Sequence, residues 1–87
     1  LLKLTKGQYS LVEERVHASA PAVGKAVRDL NWPVDCSLAA VIRSGHLLIP
    51  HSAFVFAAGD EVLAVIHAEQ TASLAALLSD GKENKLH

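Results

Sequence analysis

The chain has 87 residues, with eight Lys and Arg against nine Asp and Glu and a formal net charge of -1. Apolar residues make up 51% and aromatic residues 5%, which is too much apolar surface for a disordered chain. The longest strictly apolar run, Ala53 to Ala58, falls far short of the roughly 18–20 residues of a membrane-spanning helix. The balanced charge also gives no basic field for a nucleic acid.

Length allows one small domain, and a chain of this size buries only roughly 60–65% of its unfolded surface. The single cysteine, Cys36, cannot form an internal disulfide, which fits a reducing cytosol. The start, Leu1-Leu2-Lys3-Leu4, lacks the basic leader, apolar stretch and cleavage site of a signal peptide. Because it opens on leucine, the chain is expected to be one part of a longer protein.

Residues 1–8 read as a linker ending at Lys6-Gly7-Gln8. Tyr9 to Ala18 is predicted as the first strand, with Tyr9, Leu11, Glu13, Arg15 and His17 on one side and Ser10, Val12, Glu14 and Val16 on the other. Ser19-Ala20-Pro21 breaks it, and proline suits the start of a helix. Val23, Val27 and Leu30 then recur at helical spacing. Gly24 weakens that helix by about 1 kcal/mol relative to Ala, and Asn31-Trp32-Pro33 ends it.

Leu38 to Arg43 is an apolar run with a basic end, Ser44-Gly45 a two-residue turn, and His46 to Ile49 the return strand. This is a hairpin signal. Residues 50–56 form a connection in which His51 and Ser52 look exposed, and Ala58-Gly59-Asp60 is a turn. Glu61 to His67 is the last strand, with Val62, Leu63, Val65 and Ile66 inside a sheet. Ala68 to Leu78 is a helix with Leu74, Leu77 and Leu78 as its buried stripe. Residues 79–87 are a polar tail with a stop at Gly81.

The expected fold is α+β: a small, mostly antiparallel four-stranded sheet with two helices, in the order β-α-β-β-β-α. The domain is expected over residues 9–78.

Four stretches in this order resemble the C-terminal lobe of the RCK/TrkA regulators, the TrkA-C or RCK-C domain. They are Ala20-Pro21-Ala22-Val23-Gly24-Lys25; Val27-Arg28-Asp29-Leu30; the hairpin Val41-Ile42-Arg43-Ser44-Gly45 with His46-Leu47-Leu48-Ile49-Pro50; and Ala58-Gly59-Asp60-Glu61-Val62-Leu63. The resemblance implies a regulatory, ligand-sensing lobe of a potassium or other cation transport system, placed in the cytoplasm and tied to the membrane through its parent protein or its transporter. It implies pairing as a homodimer. It also implies an upstream Rossmann-type nucleotide-binding lobe or a membrane transporter subunit as partner, and a small ligand, such as a cyclic dinucleotide, in the dimer cleft. Relatives that bind cyclic di-AMP carry an Asp-Ile-Arg type segment after the short helix, where this chain has Asn31-Trp32-Pro33-Val34. The alternative is a purely structural dimerisation module with no ligand of its own.

Arg43, Lys25 and Asn31 are the candidate ligand-binding residues. Arg43 ends an apolar strand, where it either meets a phosphate or a partner carboxylate bidentately or stands solvated beside the turn. Gly24-Lys25 either offers helix N–H groups and a cation to an anion or marks close packing of helix on strand. Trp32, Leu47 and Ile49 are the candidate dimer contacts, and Trp32 serves equally as a cap on the core. Asp60 reads as a turn residue making a local backbone hydrogen bond. The five histidines show no metal-ligand spacing. Neither Gly-x-Gly-x-x-Gly nor a phosphate loop is present, so a nucleotide-binding lobe is expected elsewhere. Cys36 reads as a small core residue, and no Ser/His/Asp or Cys/His arrangement suggests an enzyme. No cofactor is implied.

Overall fold

The strand expected last in the sequence is central in the sheet. A computed structural model describes residues 2–3 and 8–79 of the chain. In it, β1 (Leu2–Lys3), β2 (Tyr9–Arg15), β3 (Cys36–Arg43), β4 (His46–Leu48) and β5 (Glu61–His67) form one sheet. Its order is β1-β2-β5-β3-β4, and every neighbouring pair is antiparallel. β5 takes the middle because it can be buried on one face along its whole length: Val62, Ala64 and Ile66 are fully buried while the residues between them are half-buried. That is the period of two that a strand imposes.

β3 and β4 form the expected hairpin. Ser44 has φ 53° and Gly45 φ 78°, the two positive values of a tight turn whose twist matches that of paired strands. β3 also carries a bulge, since the register to β5 shifts between Leu38 and Ala40. The extra residue lets Leu38 and Val41 both face the core side of the sheet.

The second expected helix forms as a single 3-10 turn, Ala68–Gln70, followed by α1 (Thr71–Leu78). Leu74 and Leu78 are fully buried, and Leu77 packs beside them. The first expected helix is corrected to a 3-10 turn of three residues, Val27–Asp29. Gly24 lies at φ 80°, outside the helical region. The donors a helix would use internally go to a neighbouring stretch instead: Gly24 N–H donates to Phe56 O (2.9 Å), Val27 N–H to Phe54 O (2.9 Å) and Arg28 N–H to Ser52 O (3.0 Å), while Lys25 O accepts from Phe56 N–H (3.1 Å). Val23, Val27 and Leu30 still pack on the core. Their spacing was set by burial against that core, without helical backbone.

Two further boundaries differ. Leu2–Lys3, inside the expected linker, adds a fifth short strand beside β2. β2 ends at Arg15, three residues before the expected Ala18. The expected stop at Gly81 lies outside the described residues.

The core sits on one face of the sheet. It joins Val41, Val62, Ala64 and Ile66 to Val16, Ala20, Ala22, Phe56, Leu74 and Leu78. Full burial of a side chain such as Phe56, Ile66 or Leu74 contributes about 1.5–3 kcal/mol. Among the described residues, no helix is long and apolar enough to cross a membrane.

Candidate functional site

Two features stand out on the core side of the sheet: a charged clamp at one end of β3 and an open groove at the other. The clamp follows from the strand register. Ile42 pairs with Glu61, so the next residues outward, Arg43 and Asp60, meet beyond the end of the ladder. Arg43 Nε donates to Asp60 Oδ1 at 2.8 Å, and Arg43 Nη2 donates to Asp60 Oδ2 at 2.7 Å. Nη2 also donates to the Val55 carbonyl at 2.9 Å. The guanidinium carbon stands 5.0 Å from the centre of the Phe54 ring, within cation–π range. Ala57 N–H donates to Asp60 Oδ2 at 2.9 Å.

Asp60 is 1% exposed and the Arg43 side chain 37% exposed. Burial alone would raise the Asp60 carboxyl, but the bonds from Arg43 and Ala57 and the nearby positive charge outweigh it and hold the carboxyl below its ordinary value. The bond to Asp60 raises Arg43 in turn, against an opposing effect of burial. The carboxylate that Arg43 meets bidentately therefore belongs to the same chain.

The groove encloses about 350 Å³ and is lined by Val27, Trp32, Cys36, Ser37, Leu38, Pro50, His51 and Ser52. The start of β3 forms one wall, and the loop after β4 forms the other. Trp32 is anchored there by its Nε1–H, which donates to Val27 O at 2.8 Å, and by tilted contact with Phe56 at 5.7 Å between ring centres. Burial raises the Cys36 thiol, which disfavours its thiolate. His51 Nδ1 accepts from Ala53 N–H at 3.2 Å, which orders the loop at the groove edge.

The structure separates the sequence candidates. Arg43 is spent largely on Asp60. Lys25 and Asn31 are both exposed, at opposite ends of the stretch that carries the 3-10 turn. One thread joins Lys25 to the clamp: its neighbour Ala26 forms a bridge with Val55, whose carbonyl Arg43 holds. Trp32 is half-buried on the core and also faces the groove. Leu47 and Ile49 are exposed on and beyond the edge strand β4, at 61% and 66%.

Sequence reasoning missed the burial of Asp60 and the groove residues Ser37, Pro50, His51 and Ser52. The register would have found Asp60, because pairing β3 with β5 places Arg43 opposite it. Among the described residues, no group of three or more His, Cys, Asp or Glu could hold a metal ion.

A five-stranded antiparallel sheet with one covering layer and a groove at its edge defines a small α+β domain. The family model of the TrkA-C domain matches residues 11–79, and the chain belongs to that family. It is 33% identical over 78 residues to the Trk system potassium uptake protein TrkA of Mycobacterium tuberculosis, covering 90% of this chain and 36% of that protein. It is 35% identical over 68 residues to a Trk system potassium uptake protein TrkA homolog of Archaeoglobus fulgidus, covering 78% of this chain and 16% of that protein. The chain thus spans well under half the length of these two relatives. A solved structure described as an RCK domain with cda superposes with a TM-score of 0.66 at 20% identity, covering 80% of this chain and 99% of that one. That likeness establishes the fold.

Proposed function

We propose that this domain is a regulatory lobe of a potassium uptake system. Two copies pair, a small ligand binds in or beside the groove, and the preferred geometry of the pair shifts. An adjoining nucleotide-binding lobe or a transporter subunit then receives that shift on the cytoplasmic side of the membrane. The observation that carries the reading is the family match over residues 11–79, supported by the potassium uptake proteins among the relatives. The groove supplies a place for the ligand: apolar walls from Trp32, Leu38 and Pro50 with a few polar groups from Ser37, His51 and Ser52, the usual composition of a small-molecule site. Asn31 precedes Trp32 in the chain, is exposed and does not line the groove. Arg43 offers a ligand only what its bonds to Asp60 and Val55 leave over, namely Nη1.

That engagement of Arg43 favours the second reading, a dimerisation module with no ligand of its own. Thermal melting in the presence of cyclic di-AMP, adenine nucleotides and divalent cations separates the two. The solved RCK domain's description names cda, so a cyclic dinucleotide is the first probe. A ligand at 100 times its Kd stabilises by about 2.7 kcal/mol, a rise of roughly 10 °C or more for a domain of this size. If none of these probes raises the melting temperature, the sensing reading fails and the structural one stands.

A further inference from the structure

We propose that residues 49–52 form a strap that can zip onto the free edge of β3 and shut the groove, and that Pro50 holds it open. The inference concerns the chain alone and stands or falls separately from ligand sensing.

The groove is the mouth of an unfinished hairpin. β3 runs from Cys36 to Arg43, but β4 pairs only with Val41, Ile42 and Arg43. Cys36, Ser37, Leu38 and Ala40 pair with β5 along one edge of β3. Along the other edge, residues 36–40 have no strand partner among the described residues. The groove opens there. Cys36, Ser37 and Leu38 line one side, and Pro50, His51 and Ser52, which continue the chain beyond β4, line the other. A strand edge without a partner is a template for another strand, and the chain leaving β4 is the segment placed to use it.

The alternation of the ladder explains why pairing stops. A two-residue turn is closed by a hydrogen-bonded pair, here Arg43 with His46, and such pairs recur at every second position. Val41 with Leu48 is the next of them. Counting on from Leu48, Pro50 and Ser52 are the residues whose backbone groups face β3 if the ladder continues. Pro50 has no N–H to donate, so the ladder loses a bond at its first step beyond Leu48. Ser52 is drawn the other way, and its carbonyl accepts from Arg28 N–H at 3.0 Å. Its own N–H donates to no described residue.

The Ser52 carbonyl therefore has two alternative partners: Arg28 N–H with the groove open, and the edge of β3 with the groove shut. Such an exchange of bonds makes a two-state element. The strap carries little that resists the swing. Ile49, His51 and Ser52 are exposed, and Pro50 is half-buried in the groove wall. Its ends are fixed, by β4 at Leu48 and by Phe54, whose ring lies under Arg43 and edge-on to Phe56 at 5.3 Å. Closure covers Cys36, the one thiol of the chain.

Hydrogen exchange of the 87-residue chain and of Pro50→Val tests the proposal. Valine restores the missing N–H and favours a strand. Two amides should then move in opposite directions. Ser52 N–H gains a partner on β3 and should exchange about fivefold more slowly, the equivalent of about one ladder bond. Arg28 N–H loses the Ser52 carbonyl and should exchange faster by a similar factor. Ala64, in the middle of the sheet, is the reference for global stability. Alkylation of Cys36 by N-ethylmaleimide should also slow about fivefold. Oxidation of Ser52→Cys with diamide is a second test, because a strap that reaches β3 brings position 52 within disulfide distance of Cys36. That bond should form, and should form faster in Pro50→Val/Ser52→Cys. Amides of Ser52 and Arg28 that do not move apart relative to Ala64 overturn the proposal. So does slower alkylation without that opposite movement, because valine then fills the groove without closing it. Circular dichroism checks each fold. If Pro50→Val does not fold, the Ser52→Cys disulfide carries the test alone, and its failure to form overturns the strap.

Discussion

Replacing Arg43 with alanine tests the clamp most directly. The substitution removes two charge-assisted bonds to Asp60, one bond to the Val55 carbonyl and the stacking on Phe54. It leaves a 1% exposed carboxylate with one hydrogen-bond donor, Ala57 N–H. Removing one partner of a fully buried pair costs about 3–5 kcal/mol, whereas exposed pairs contribute about 0.2–1 kcal/mol. Arg43 is 37% exposed and Asp60 is not, so the expected cost lies between these limits, at about 2–3 kcal/mol. A small domain has only about 5 kcal/mol or so to lose, and the melting temperature should fall by roughly 10 °C or more.

Urea unfolding followed through Trp32 fluorescence measures the loss, because Trp32 is the one tryptophan and sits against Phe56. The pH dependence supplies an internal control. Asp60 is held below its ordinary value in the folded chain, so its contribution is complete above the unfolded carboxyl value of about 3.9. That contribution disappears as pH falls through the lower folded value. In Arg43→Ala, burial without the guanidinium raises the carboxyl, and protonation relieves the unpaired charge. The cost of the substitution should therefore be largest near neutral pH and shrink on acidification. A loss below about 0.5 kcal/mol at pH 7 would refute the reasoning, because that is what an ordinary surface substitution costs.

Gly24→Ala should destabilise by about 1–2 kcal/mol, the cost of a Cβ in left-handed backbone. A Cβ there meets nothing within 4 Å, so the loss is conformational alone. In a helix the same change would stabilise by about 1 kcal/mol, and the sign read from urea midpoints distinguishes the two. Trp32→Phe keeps an aromatic ring near Phe56 and loses the bond to Val27 O. It should cost about 1 kcal/mol, read by thermal melting, and an unchanged melting temperature would remove that bond from the account.

The strands were legible because their signals are local. Ser44-Gly45 between two apolar runs specifies a hairpin, and the alternation in Glu61–His67 specifies a strand with one buried face. The 23–30 stretch was misread because Val23, Val27 and Leu30 repeat at helical spacing for another reason. They cover a core beside residues 52–56, a pairing between segments roughly thirty residues apart that no local pattern reveals. The four family motifs were legible as sequence, yet Arg43 and Asp60 stood in two of them as separate features. Only the register of β3 on β5 brings them together. The groove was invisible for a similar reason, since Trp32, Cys36 and His51 come from three segments that meet only in the fold.

Arg43→Lys separates charge from geometry at the clamp. Lysine keeps the positive charge but cannot form the planar fork that holds both carboxylate oxygens and the Val55 carbonyl. If charge alone matters, the lysine variant should behave as wild type. If the fork matters, it should recover only part of the stability lost in Arg43→Ala, and the backbone tied to Val55 should loosen. The amides to watch are those that lace the 24–28 and 52–57 stretches together: Gly24 and Val27, which donate to Phe56 and Phe54, and Phe56, which donates to Lys25. Their hydrogen exchange should accelerate in Arg43→Lys more than that of β5 amides such as Ala64, which sit in the middle of the sheet. Equal acceleration at both places would mean that the substitution only lowers global stability. Selective acceleration would locate Arg43's role at the strip of chain that continues, through Ser52 and His51, into the wall of the groove.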